Sequence, residues 1–143
     1  MTKKLATLAG ILGLTLAVGA AQAAAVTYHA TLSGKSEVPP TSSNGTGSAT
    51  VTVDPSTGMA SWSVTYSGLS GPATAAHIHC GAAAGANGPV AVPFGNNPPN
   101  PITGQSTQPM TKAQLDDLQA GKCYVNIHTA ANPGGEIRGQ LMP

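Results

Sequence analysis

Three of the four histidines in this 143-residue chain fall in two short apolar segments. His77 and His79 lie in Ala76-His77-Ile78-His79, and His128 closes Tyr124-Val125-Asn126-Ile127-His128. A neutral imidazole offers a nitrogen lone pair at pH 7, so converging imidazoles suit copper or zinc, with copper(II) ahead in the affinity order. Side chains two apart on a strand share a face, which would aim His77 and His79 the same way. H-x-H alone arises by chance on any exposed strand, and a third histidine from a second segment makes the pattern more specific. Bonds of about 2 Å to one ion would bring the three nitrogens within roughly 3 to 4.5 Å of one another. The competing reading is a structural, hydrogen-bonded polar cluster. His29 reads as an ordinary strand residue.

The two cysteines, Cys80 and Cys123, sit in the same two segments. Neither has the C-x-x-C spacing of a thiolate metal site, and a disulfide between them would close a loop of about 44 residues, worth about 4 kcal/mol in loop-closure entropy. Parity ties this bridge to the histidines. Ile78 and Cys80 share one strand face with Cys123, Val125 and Ile127 as its counterpart, while His77 and His79 oppose them, as do Tyr124, Asn126 and His128. If the apolar set faces the core with Cys80 near Cys123 on antiparallel neighbours, His77 stands opposite Asn126 and diagonal to His128 by about 7 Å. A tight return around Asn132 would then place Glu136 beside His128 and Arg138 beside Asn126. Glu136 is thus a candidate acceptor for a ligand imidazole's second nitrogen, or a partner for Arg138 in an ordinary cross-strand charge network.

These residues need strands to position them. Period-two alternation and turn residues predict strands at Val26 to Leu32, Gly47 to Val53, Met59 to Tyr66, Thr74 to Cys80, Pro89 to Val92, Lys122 to Thr129 and Glu136 to Met142. Phe94 to Pro109, with four prolines and no apolar period, is expected to be a long surface loop. Thr111 to Gly121 reads as a single short helix, capped by Thr111, with Leu115 and Leu118 on one stripe and Gly121 at its end. The expected class is all-β, a β-sandwich or barrel of about seven to eight strands with one short helix.

Residues 1–23 carry a basic start at Lys3 and Lys4, an apolar run and Ala21-Gln22-Ala23, the pattern of a cleaved secretory signal. Residues 24–143 are then one domain, periplasmic or secreted, with no further apolar stretch of spanning length. Its four basic residues (Lys35, Lys112, Lys122, Arg138) against five acidic ones (Glu37, Asp54, Asp116, Asp117, Glu136) leave a net charge near −1. Such a surface does not attract nucleic acid. Charged residues are 8% of the chain, against about a quarter in ordinary domains, so Ser, Thr, Asn and Gln must cover much of the surface. No G-x-S-x-G elbow or phosphate-cradling glycine loop is present, and Trp62, Tyr66 and Tyr124 read as packing residues rather than a sugar-stacking surface.

Ala76-His77-Ile78-His79, Asn87-Gly88-Pro89-Val90, Leu115 with Leu118, and Tyr124 to Thr129 followed by Asn132 to Leu141 resemble the CHRD domain, named for chordin. Leu32-Ser33-Gly34, Glu37 and Pro39-Pro40 are similar to its opening motif, so the resemblance spans nearly all of residues 24–143. It implies a secreted all-β module without a settled activity. A fainter likeness is to the copper/zinc superoxide dismutases, which are Greek-key β-sandwiches. By that likeness His77, His79 and His128 fall on copper-ligand positions and Arg138 on that of an arginine guiding an anionic substrate. The metal-bridging histidine, zinc loop and electrostatic loop of that family are not recognisable, and His29 is the remaining imidazole. Three functions follow as expectations: an exported metal-binding module using His77, His79 and His128, with copper before zinc; a noncatalytic interaction or adhesion module contacting an extracytoplasmic protein; and, third, a dismutase-like enzyme.

Overall fold

The computed structural model describes Gly19 and residues 23–143, so the leader read over residues 1–23 lies, but for Gly19 and Ala23, outside the described residues. Eight strands form one antiparallel sheet: β1 Val26–Ser33, β2 Thr46–Val53, β3 Ala60–Ser67, β4 Ala73–Cys80, β5 Val90–Asn96, β6 Ile102–Gln105, β7 Cys123–Thr129 and β8 Ile137–Gln140. Their order is β5-β4-β7-β8-β1-β2-β3-β6. The two end strands, β5 and β6, approach each other without a ladder, so the sheet curls into a nearly closed barrel. The β3–β4 and β6–β7 connections skip over neighbours in this order, which makes the topology Greek-key.

Alternation explains which face is inside. Tyr28, Ala30 and Leu32 on β1, Ala49, Val51 and Val53 on β2, Trp62 and Val64 on β3, Ile78 on β4, Val125 and Ile127 on β7 and Ile137 on β8 fill the interior. The polar residues between them point out. Helix α1, Lys112–Gln119, follows its expected bounds: Thr111 accepts from the Gln114 amide while the Gln114 side chain accepts from Thr111 N, a capping box. Gly121, at φ +69, ends the helix as a residue with a side chain would do less readily. Leu118 is buried against the barrel, and Leu115 packs beside it. Among the described residues no helix is long and apolar enough to cross a membrane.

The loop expected over Phe94 to Pro109 is a correction. β5 runs on to Asn96, and β6 pairs with β3 from Ser61↔Gln105 to Val64↔Ile102. The prolines flank β6 rather than interrupt it, and pairing with a strand some 40 residues earlier supplies what local periodicity lacks. Gly104 fits flat against the Trp62 indole, which a Cβ would press into. Pro93 is tolerated in β5 because that strand has a ladder on one side only.

Candidate metal centre

The β4–β7 ladder sets the site. Its register is Cys80↔Cys123, His79↔Tyr124, Ile78↔Val125, His77↔Asn126 and Ala75↔His128. Cys80 and Cys123 are disulfide-bonded, with Cα atoms 4.1 Å apart. The bridge faces the core, so parity sends His77 and His79 to the outer face of the barrel together with Tyr124, Asn126 and His128. This face is not the solvated one expected of an ordinary charge network. The segment through Glu37 and the loop from Ala82 to Gly88 cover it, leaving Tyr124, Asn126 and Arg138 buried.

The histidines converge. His77 Nδ1 is 3.1 Å from His128 Nε2, and one ligand nitrogen from each of His77, His79 and His128 lies within 4.8 Å of the others. That upper bound is slightly wider than the 3 to 4.5 Å expected for one ion. Closing on an ion with bonds of about 2 Å needs at most about 1 Å of ring movement.

Two backbone carbonyls decide the tautomers. His79 Nδ1 is 2.8 Å from Gly88 O, and His128 Nδ1 is 2.9 Å from Pro133 O. A carbonyl only accepts, so both Nδ1 atoms carry hydrogen, and in the neutral rings both Nε2 atoms keep a lone pair. His77 Nδ1 therefore donates to His128 Nε2. His79 Nε2 is buried and has no partner among the described residues. Gly88 can hold its place because it lacks a Cβ, which would collide with the Cys80 carbonyl.

The electrostatics keep His77 and His79 neutral. Burial, then the facing His128 and His79, push His77 down to about 4. Burial also lowers His79, with His128 and Arg138 adding to it and the Gly88 hydrogen bond opposing it. At neutral pH both therefore present lone pairs rather than charges. His29 lies apart on β1, exposed, beside Thr50 Oγ1 at 3.3 Å.

The surrounding residues sort differently from the sequence expectation. Arg138 does stand opposite Asn126. However, it is 1% exposed, donates to Asn87 Oδ1 at 3.0 Å and Ala86 O at 2.6 Å, and lays its guanidinium 3.4 Å from the Tyr124 ring centroid. A guanidinium so enclosed is not presented to an incoming anion. Glu136 neither orients an imidazole nor pairs with Arg138. The β7–β8 ladder ends at Ile127↔Ile137, and beyond it the Glu136 carboxylate turns toward Thr129, on the core-facing parity. There it accepts from Ser43 Oγ, Ser70 N and Oγ, Thr129 Oγ1 and Asn132 Nδ2. Asn126 donates to Glu37 Oε1 at 2.5 Å, and its own Oδ1 is buried without a partner among the described residues.

Residue-by-residue reading missed Glu37, Tyr124 and Gly88 as parts of this site. Glu37 had no signal beyond its place in an opening motif. Asn87-Gly88 reads as a turn, yet Asn87 binds Arg138 while Gly88 O anchors both His79 and, at 3.4 Å, the Tyr124 hydroxyl.

The CHRD domain family model matches residues 28–141, from within β1 to the end of the described core, and includes every residue of the cluster. The chain belongs to the CHRD domain family. No curated protein and no solved structure matches it. In this CHRD domain the histidine face, the disulfide and the Glu37 segment all lie inside the matched region.

Proposed function

We propose that this CHRD domain is an exported binding module in which His77, His79 and His128 hold one transition-metal ion, copper in preference to zinc. The observation that carries the reading is His79 Nε2, a buried lone pair without a partner, on a ring whose other nitrogen is anchored to Gly88 and whose neighbours are two further imidazoles. Leaving a buried polar atom unsatisfied costs about 1 to 3 kcal/mol, and an ion would remove that cost.

His128 would bind through Nε2, its Nδ1 hydrogen held by Pro133, and His77 through Nδ1, in the tautomer whose hydrogen has moved from that atom to Nε2. Each anchored ring is thereby oriented before the ion arrives, as backbone acceptors commonly do for metal-bound histidines. The donor set is three neutral nitrogens, suited to copper or zinc and placed by affinity order toward copper. A bound copper ion would supply one-electron chemistry and an open coordination position. The protein's share is to hold three rings on a strand pair stapled by Cys80–Cys123, under a cover of buried polar residues. That staple and the leader-like residues 1–23 support an oxidising, extracytoplasmic setting.

Titration of the purified domain with copper(II) and zinc(II) tests the reading. The expected result is submicromolar copper binding, weaker for zinc, and abolished in the His77→Ala/His79→Ala/His128→Ala variant. Absence of binding to the intact domain overturns it and leaves a hydrogen-bonded cluster in an interaction module.

A further inference from the structure

The histidine face carries a column of three stacked planar groups. The Tyr124 ring lies parallel to His79, at 2° between planes and 4.8 Å between centroids. The Arg138 guanidinium carbon lies 3.4 Å from the centroid of the same phenol. His79 comes from β4 on one side of β7 and Arg138 from β8 on the other, so imidazole and guanidinium take opposite faces of the ring. One residue locks the column: Gly88 O receives His79 Nδ1 and the Tyr124 hydroxyl, and Gly88 N donates to the Tyr124 oxygen at 3.1 Å.

The cluster lies beside a buried fixed cation that no carboxylate touches. Arg138 is a permanent cation, 1% exposed and fixed by Asn87 and Ala86. It makes no ion pair: among the described residues the one such contact is Lys112–Asp116, on α1. Glu37 acts on Arg138 through space while its Oε1 is held by Asn126. Glu136 is turned to the other side of the sheet, so no carboxylate joins the three imidazoles. A fixed positive charge in a poorly solvated site disfavours the more highly charged of two states of a nearby ion.

We propose that Arg138, stacked through Tyr124 on His79, biases the three-histidine centre toward singly charged over doubly charged copper. This rests on the metal reading above and makes Arg138 a positioning residue for charge rather than a ligand. At a separation on the order of 10 Å and an effective dielectric of about 20, removing one charge changes the ratio of the two affinities by about tenfold. For a one-electron couple tenfold corresponds to about 59 mV.

The test measures copper(I) and copper(II) affinities by competition with chelators of known affinity, and the midpoint potential of the copper-loaded domain, at pH 8. Arg138→Gln is expected to shift the ratio about tenfold toward copper(II) and lower the potential correspondingly, whereas Arg138→Lys, keeping the charge, shifts it far less. Glu37→Gln removes the negative charge near Arg138 and is expected to move the ratio the opposite way. It decides the matter if Arg138→Gln does not fold. An unchanged ratio in folded Arg138→Gln, or a shift toward copper(II) in Glu37→Gln, overturns the proposal while the metal reading stands. Failure of the intact domain to bind either ion overturns both.

Discussion

Glu136 and Glu37 are both buried carboxylates, 0% and 5% exposed, yet their surroundings drive them in opposite directions. Burial alone pushes Glu136 up, but hydrogen bonds from Ser70, Thr129 and Ser43 more than reverse this and hold it at about 2. Burial pushes Glu37 up to about 7, and the Arg138 charge and the Asn126 hydrogen bond offset it only in part. The difference lies in the supply of donors. Glu136 ties the end of β7 to the segments at Ser43 and Ser70, whereas Glu37 is an under-solvated group beside the charged side of the histidine face. One is a structural tie and the other an adjustable charge.

The largest effect should come from the tie. Glu136→Ala strands donors from Ser43, Ser70, Thr129 and Asn132, and a loss of about 3 kcal/mol is expected from urea denaturation. Glu37→Gln, which keeps an acceptor for Asn126, should cost about 1 kcal/mol or less. Equal losses would break the contrast.

The pH dependence sharpens it. Glu136 titrates at about 2 folded against an ordinary 4.5, so its contribution is complete above about 4.5 and is lost as pH falls toward 2. Glu37 titrates at about 7 folded, so its protonated form favours folding below about 4.5 and that advantage is lost as pH rises through 7. His77 titrates at about 4 folded against an ordinary 6.5, so the native state loses stability as pH falls from 6.5 toward 4. Between pH 4.5 and 6.5 the Glu37 and His77 slopes oppose each other. Urea midpoints of the metal-free domain should therefore rise with pH less steeply than the lowered histidines alone would give, and Glu37→Gln should steepen the rise, to at most about 1.4 kcal/mol per unit for each histidine. A flat profile in that variant would show that His77 is not depressed.

The smallest effect concerns Asn126. Asn126→Leu removes a donor to Glu37, so carboxyl carbon NMR should show Glu37 titrating above about 7, with Glu136 still ionised throughout the neutral range. A Glu37 midpoint that stays put would mean that Arg138 alone supplies the opposing pull.

Much of the histidine side of this picture is legible in residue order. The alternation through Ile78 and Cys80 and through Cys123, Val125 and Ile127 specifies which faces are apolar. One cross-link then leaves a single register, and the ladder has His77 opposite Asn126 as that register requires. The segment from Thr111 to Gly121 carries its own cap, stripe and stop, all local signals, and the helix lies where they place it. Strand β6 was illegible because its pairing partner is remote and its flanks are proline-rich. Glu136 was misplaced because parity holds only while the ladder lasts, and the ladder stops one residue before it.

Local chemistry thus dictates strand faces, the helix and the pairing of three imidazoles with a disulfide behind them, since each depends on spacings of a few residues and one covalent constraint. The cover over that face does not. Whether Glu37 meets Asn126, whether Arg138 stacks on Tyr124 and whether Gly88 holds His79 depend on loops folding back across 89, 14 and 9 residues of chain. Burial and charge at the histidines come from that closure, because an imidazole's acidity is set by the water and charges around it rather than by its neighbours in sequence.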